Sequence, residues 1–294
     1  MTNQQNPLAE VFGFPIENQS EKAVRYRSKK LCPFNNKVPN CTKDKANNPL
    51  GVCSIHHNGN RVITCPVRFR EDWMIVEHAA KFFFGAEAMW TSLTEVKLTD
   101  KNGQSAGNID FVLVSYNKHG QLIDFGSLEV QGVYISGNLR NPFGAFLESP
   151  YPAFTWDTVA NFPKPDYLSS SRKRLVPQIL YQGGIFKNWN KKQAVALQKS
   201  FFETLPVLPK VAVETADIAW FLYDLVPDEH LKTLRLELVE TIYTEFEPAL
   251  QIITTPHPGN LEDFIHVLQS KLDEHLDANS PDAPTLTDIL GDAP

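Results

Sequence analysis

The chain has 294 residues, 42% of them hydrophobic, enough to furnish a core for one large domain or for a domain with a sizeable appendage. Its opening, MTNQQNPLAE, lacks the basic flank and apolar stretch of a secretory signal, and no apolar run approaches the roughly 20 residues of a membrane span. The expected setting is therefore cytoplasmic, with no membrane partner, and in that reducing compartment four cysteines are expected as thiols or metal ligands rather than disulfides. The formal net charge of -6 conceals a segregation: residues 1–210 carry 25 basic against 17 acidic side chains, net +8, and residues 211–294 carry 3 against 17, net -14. A local basic surface attracts phosphate even in an acidic chain. The positive charge concentrates in residues 21–70 and 171–200, and either stretch taken alone reads better as solvated surface.

Residues 1–70, rich in Asn, Pro and Lys with weak periodicity, predict a loop-rich region that needs something besides a core to hold it. From Asp72 the pattern turns helical: Trp73, Val76, Ala80 and Phe83 recur at helical spacing, Asp72 is placed to cap the start and Gly85 to end it, and the apolar stripe asks for a sheet to pack on. Strands are expected over residues 93–98, 109–116 and 122–135, with Asn117-Lys118-His119-Gly120 turning between the last two. Residues 140–168 hold Pro142, Pro150, Pro152, Pro163 and Pro165 among aromatics and predict an ordered, irregular loop. Residues 172–203 read as mostly helical, interrupted near Gly183-Gly184, and Ile218 to Leu225 as a buried strand. A helix capped by Asn260 and Asp263 sets Leu261, Phe264, Ile265, Leu268 and Leu272 on one side, and the acidic end from Asp277 predicts a mobile tail.

Two carboxylates stand out by their surroundings. Ile109-Asp110-Phe111-Val112-Leu113-Val114 puts an acid at the head of an apolar strand, and Ser127-Leu128-Glu129-Val130-Gln131 puts another inside the next. A charge in such a setting is costly unless it is paired or binds a cation, which makes both acids metal-ligand candidates. Side chains at i and i+2 of a strand share a face, so Glu129 and Gln131 lie together while Leu128 and Val130 point into the core, and Asp110 joins them if the meander pairs. The cysteines are spaced Cys32-x8-Cys41-x11-Cys53-x11-Cys65, in polar surroundings and without a CxxC pair. That spacing fits four reduced core thiols, but the polar context favours a tetrahedral thiolate site for zinc or iron.

The carboxylate strands resemble the PD-(D/E)xK nucleases, with Gln131 where that group usually has lysine. Glu-x-Gln at this point, together with Cys32-Pro33-Phe34, Gly51-Val52-Cys53 and Thr64-Cys65-Pro66, is similar to the NotI-type restriction endonucleases, the NotI and EagI kind. The resemblance runs from Val11-Phe12-Gly13 to about residue 225 and rests on both motif sets occurring in order. It implies an α/β fold: a PD-(D/E)xK core of central mixed sheet flanked by helices over residues 71–226, a four-cysteine metal-binding region over 1–70, and an acidic C-terminal part over 227–294. It further implies a type II restriction endonuclease that makes double-strand cuts in DNA by Mg2+-dependent phosphodiester hydrolysis. Asp110 and Glu129 would hold Mg2+, Gln131 would orient water, and Glu95 would match a further acid of the group; an amide in place of lysine can position water but cannot serve as a base. The four cysteines would hold one iron or zinc ion. A GC-rich palindromic site, a homodimer and a cognate DNA methyltransferase as functional companion complete the implied picture.

For DNA contact, the helix beginning near Ser171 offers Arg172, Lys173, Arg174, Gln178 and Gln182, side chains suited to phosphates and base edges, and it is similar to the corresponding part of the NotI kind. Asn138, Arg140 and Asn141 follow the second acidic strand as loop contacts. Two other readings compete. His56-His57-Asn58-Gly59-Asn60 among the cysteines suits an HNH-type nuclease with histidine as general base, and a four-cysteine DNA-binding protein would leave Asp110 and Glu129 merely structural.

Overall fold

The computed structural model describes residues 6–35, 39–45, 47–148, 161–256 and 258–278. Its strands, in chain order, are β1 Leu8–Val11, β2 Phe14–Pro15, β3 Asp44–Lys45, β4 Asn48–Pro49, β5 Val52–His57, β6 Asn60–Ile63, β7 Trp90–Thr99, β8 Ser105–Tyr116, β9 Leu122–Gln131, β10 Tyr134–Ser136, β11 Lys164–Asp166, β12 Gln193–Gln198, β13 Ile218–Asp228 and β14 Thr233–Thr244. Six of them form a mixed central sheet in the order β14-β13-β12-β9-β8-β7. The antiparallel meander β7-β8-β9 is the expected one, turned through Asn117, whose side chain accepts from the backbone N–H groups of His119 (2.9 Å) and Gln121 (3.0 Å). β12 then lies parallel to β9 and to β13, and β14 closes antiparallel on β13. The fold is thus α/β with a mixed sheet and helices, as expected at that level.

Helix α1 spans Glu21–Ser28, α2 Met74–Phe84 and α3 Arg140–Glu148. α2 packs on the sheet as its stripe required: Ile75, Val76, Ala79, Ala80 and Phe82 share a buried cluster with Phe111, Leu113, Leu128 and Val130. Gly85 ends it with φ +82°, its N–H donated to Lys81 O at 3.0 Å. Asp72 is not its cap. Asp72 (φ 50°) and Trp73 (φ 57°) are consecutive left-handed residues that break the chain between a 3-10 turn, Pro66–Trp73, and the helix, and no side chain caps the start.

Four further expectations need correction. Residues 1–70 are not chiefly loop: β2-β1-β5-β6 form a sheet whose Leu8, Val11, Val52, Ile55 and Val62 join the same buried cluster as Val195, Leu197 and Trp220 of the central sheet. Short strands with Pro and Asn at their turns hid that core from a periodicity reading. The run 122–135 divides into β9 and β10 at Gly132-Val133. Residues 140–148 are helical and β11 pairs with β10, while Pro150 and Pro152 lie outside the described residues. Finally, residues 167–188 are helical straight through Gly183-Gly184, with π-turns at Ser171–Leu175 and Ile179–Gly183, and the helix does not reach 203 because Gln193-Ala194-Val195-Ala196-Leu197-Gln198 is β12. This strand is buried on both faces, so its sequence carries no alternation to distinguish it from helix.

The chain divides into two compact units, residues 1–254 and 255–294. In the second, Asn260 caps the helix Leu261–Asp277 by accepting the Glu262 N–H at 2.8 Å, and Leu261, Phe264, Ile265, Leu268 and Leu272 are exposed on it. The expected acidic tail lies, from residue 279, outside the described residues. Among the described residues no helix is long and apolar enough to cross a membrane.

One ion network binds the small sheet to the large one. Arg68 is fully buried; its Nε donates to both Glu10 oxygens (3.1 and 3.2 Å), Nη1 to Glu71 (2.8 Å) and Nη2 to Leu234 O on β14 (2.8 Å), while its guanidinium lies 4.3 Å from the Phe34 ring centroid. Glu10 on β1 also accepts the Ser54 hydroxyl of β5 at 2.7 Å. Burial opposes the guanidinium charge, but Glu10 and Glu71 more than offset it and raise its pKa. Removing one member of a buried pair leaves the other uncompensated, so Arg68→Met is expected to lose about 3–5 kcal/mol of unfolding free energy in urea titrations. The double variant Arg68→Met/Glu10→Gln should lose less than the single one.

Candidate active site

The register of β8 on β9 pairs Phe111 with Leu128, which sets Asp110 opposite Glu129 as the next pair along. Leu128 and Val130 pack beneath α2, and the alternation turns Glu129 and Gln131 to the other face, where Glu129 pairs across with Val195 and Gln131 with Leu197 of β12. Asp110 Oδ2 accepts the Val130 N–H at 3.0 Å. Glu129 is buried, with the Asp110 carboxyl as its near neighbour; its Oε2 accepts from Gln178 Nε2 at 3.0 Å, and its Oε1 meets no donor among the described residues. Gln131 is buried too and donates through Nε2 to Gly132 O at 2.9 Å.

Electrostatics set these acids apart. Burial, and after it the charge of Asp110, pushes the Glu129 carboxyl well above the usual carboxylate range. Burial also raises Asp110, opposed by the Val130 N–H and by the cations Arg70 and Arg174. Two desolvated carboxyls face each other, and one keeps an orphaned oxygen; that donor set fits a hard divalent cation. Glu95, the fourth acid-site candidate, is exposed on β7 between the pairs Thr94 with Phe111 and Val96 with Ile109, so it lies across from Asp110 in register. Its φ of +55° is a strained value for a non-glycine residue, of the kind that clusters at active sites.

Arg70 escaped the sequence reading. It belongs to the turn that follows Cys65, and its guanidinium stacks over Phe111 at 5.4 Å and Trp73 at 6.0 Å. The signal was available in Arg68-Phe69-Arg70, two arginines in an otherwise apolar run directly after a cysteine motif.

The cysteines are free thiols at four structural joints. Cys32 N–H donates to Pro39 O (2.7 Å) and Cys41 N–H to Lys30 O (2.8 Å), drawing the first two together; Cys65 N–H donates to Cys53 O (3.2 Å), drawing together the last two. Burial pushes Cys32 up to about 11 and raises Cys41 and Cys53, with neighbouring cysteines adding to each: Cys65 and Cys41 on Cys32, Cys65 on Cys41, Cys65 and Cys32 on Cys53. The four thiols are therefore electrostatic neighbours. Among the described residues, however, no three His, Cys, Asp or Glu side chains converge as closely as a metal ion requires. The donor chemistry fits a thiophilic cation, which would relieve this mutual penalty as the thiols deprotonate.

The expected DNA-contacting side chains separate into groups. Arg172, Lys173 and Arg174 are exposed on the helical segment, Arg174 stacked over the Tyr134 ring at 4.6 Å. Gln178 reaches Glu129 instead of projecting outward, and Gln182 is buried, donating to Asn108 O at 3.3 Å. Arg140 forms an ion pair with Asp44 and donates to Asn48 O at 3.2 Å, and Asn138 caps the start of α3 by accepting the Asn141 N–H at 3.1 Å. Lys43, Asp44, Tyr134, Asn138, Arg140 and Arg174 line a cleft of about 700 Å³. His56 and His57 end β5, and Asn58 and Gly59, both at positive φ, form the two-residue hairpin turn to β6, a conformational reason for that sequence which involves no histidine chemistry.

A mixed sheet with an acid pair at its centre, beside a helix with three exposed basic residues, is a layout suited to hydrolysing a polyanion. Comparison with known families supplies the class: a family model described as restriction endonuclease NotI matches residues 11–237, so the chain is a type II restriction endonuclease, a site-specific deoxyribonuclease that acts on DNA. It belongs to the NotI restriction endonuclease family. No curated protein matches the chain.

The orphaned Glu129 oxygen has a consequence for stability. Because the raised Glu129 carboxyl costs stability as it is forced to ionise beside Asp110, chelator-treated Glu129→Gln protein, which keeps the shape, is expected to gain stability over wild type as pH rises, by about 1–2 kcal/mol on the alkaline side. Thermal melting of both proteins in EDTA across that pH range checks this.

Proposed function

We propose that this restriction endonuclease cuts double-stranded DNA by Mg2+-dependent phosphodiester hydrolysis at a PD-(D/E)xK-type centre in which Asp110 and Glu129 hold the ion. The observation that carries the reading is the pair itself: two desolvated carboxyls opposed on adjacent central strands, one with an oxygen that meets no donor among the described residues. When bound, Mg2+ supplies a more acidic water and charge neutralisation at the phosphate. The chain's own groups do the rest. The Val130 N–H fixes Asp110, and Gln178 fixes one oxygen of Glu129. Gln131 engages its Nε2 with Gly132 O, which leaves Oε1 as an acceptor able to orient a water. Arg70 and Arg174 bring positive charge toward Asp110, where a phosphate would gather negative charge, and so fill part of the role that the missing lysine has elsewhere. Glu95 lies across from Asp110 in the β7–β8 register but is exposed and does not converge with the acid pair among the described residues, so the ion rests on Asp110 and Glu129.

Arg172, Lys173 and Arg174 then grip phosphates, and Asn138 and Arg140 belong to the cleft that flanks the site. One hydrolytic centre per chain favours a homodimer acting on a palindrome, GC-rich by resemblance to the NotI kind, in a cytoplasm where a cognate methyltransferase protects the host. Cys32, Cys41, Cys53 and Cys65 hold one iron or zinc ion that organises residues 32–65.

Asp110→Ala and Glu129→Ala are each expected to abolish cleavage of a sequenced plasmid, by a factor of about 1,000 or more, while retaining DNA binding in gel-shift assays. Full activity in purified Glu129→Ala protein would sink the assignment. The two metals should separate as well: brief EDTA treatment stops cleavage and added Mg2+ restores it, whereas Cys41→Ser lowers the melting temperature beyond rescue by Mg2+. Elemental analysis should give about one Fe or Zn per wild-type chain and clearly less in the variant.

A further inference from the structure

The helical segment 167–188 meets the acid pair through a side-chain contact, the 3.0 Å hydrogen bond from Gln178 Nε2 to Glu129 Oε2. Gln178 lies on a three-residue α-helical stretch, Val176–Gln178, between the two π-turns Ser171–Leu175 and Ile179–Gly183. Each wide turn inserts an extra residue and re-aims the side chains after it, and such turns are frequent at functional sites. One turn before Gln178, Arg172, Lys173 and Arg174 stand exposed, with Arg174 stacked on Tyr134 just beyond the catalytic strand. The same short rod therefore carries the exposed cations at one point and touches the buried carboxylate at another.

The residue type matters as much as the place. A lysine or arginine at 178 would neutralise Glu129 and compete with a bound cation. Glutamine donates one hydrogen bond without charge: it immobilises Oε2, adds no positive charge that would compete with a cation, and leaves Oε1 without a donor among the described residues.

Building on the reading of Glu129 as a metal ligand, we infer that Gln178 is a positioning residue that couples the seating of the basic helix on DNA to capture of the divalent ion by Glu129. When phosphates fix the helix, Gln178 fixes the carboxylate in its ion-accepting pose. By reciprocity the ion must tighten DNA binding by the same factor that DNA tightens ion binding.

The test measures that linkage rather than turnover alone. Gln178→Met keeps the length and packing but has no donor. Binding of a duplex carrying the mapped cut site is followed by fluorescence anisotropy in EDTA and in Ca2+, a larger ion with the same preference for oxygen ligands. Mn2+ uptake by the protein alone is followed from the electron paramagnetic resonance signal of the free ion. Wild type should bind the duplex more tightly in Ca2+, by about 5- to 100-fold. Gln178→Met should bind in EDTA like wild type, lose most of the Ca2+ enhancement, take up Mn2+ more weakly by about 5-fold or more, and need more Mg2+ for half-maximal plasmid cleavage. If the methionine variant melts well below wild type, Gln178→Asn, whose amide is too short to reach Oε2, replaces it in the same measurements. A donor-less variant with the wild-type Ca2+ enhancement and Mn2+ affinity overturns the inference. Glu129→Ala, run in parallel, separates the two levels: if it is inactive and Gln178→Met behaves as wild type, the coupling alone fails, whereas an active Glu129→Ala removes the reading beneath it.

Discussion

Arg68 is enclosed on every side by partners from different parts of the chain: Glu10 from the first strand, Glu71 from the turn after the cysteines, Leu234 from the last strand of the central sheet and Phe34 from the loop after Cys32. A buried guanidinium tolerates no vacancy among its acceptors, so this one contact fixes how the N-terminal sheet meets the nuclease sheet. Cys53 lies next to Ser54, which serves Glu10, and Cys65 precedes Arg68 by one turn of 3-10 helix. Arg68 thereby ties the turn that follows Cys65, which also carries Arg70, to the first strand and to β5. Gln198 reinforces the junction from the other side, accepting the Ile63 N–H at 2.8 Å and donating to Arg61 O at 2.6 Å and Asp224 at 2.8 Å.

With that frame fixed, the interior of the sheet can hold what a stability-driven fold would reject. Two opposed carboxyls in a desolvated site raise the free energy of the empty protein, and the surrounding aliphatic clusters above and below the sheet absorb that burden. Gln178 satisfies one carboxylate oxygen but not both, and Gln182, one turn on, also keeps a buried unsatisfied oxygen. Of the three buried side-chain atoms left without a partner among the described residues, these two lie where the strands meet the π-turned helix and the third, Arg27 Nε, lies on α1.

Part of this was legible in the chain. The meander was readable because β7, β8 and β9 alternate or carry turn signals, and two acids amid Ile, Phe, Val and Leu declared themselves by their setting. Asp110 opposite Glu129 followed from that pairing alone. β12 was not legible, since a strand buried on both faces has no period, and the N-terminal sheet was hidden because its strands are two to six residues long and interrupted by Pro, Asn and Gly. The partner of Glu129 was misread for another reason. Gln178 looked like a base-reading side chain on a regular helix, and only π-turns, which have no simple sequence signature, direct it inward. Arg68 and Glu10 lie 58 positions apart, and no local pattern announces a pair at that distance.

The parallel seam at β9 bears on the order in which this enzyme comes into being. Glu129 on β9 is flanked by β8, which precedes it closely, and by β12, which begins at residue 193 after a long excursion through α3, β11 and the helical segment. On a growing chain the meander can pair early, yet β9 keeps an open edge until β12 emerges, and closing so long a loop is slow compared with making a hairpin. Gln178 and the basic helix are likewise absent until that excursion has been made. A ribosome-bound or truncated chain that stops short of β12 holds Asp110 and Glu129 but not the strand that pairs with β9 on its other side, so the enclosure of Glu129 is completed only after residue 193 of the 294 has been made.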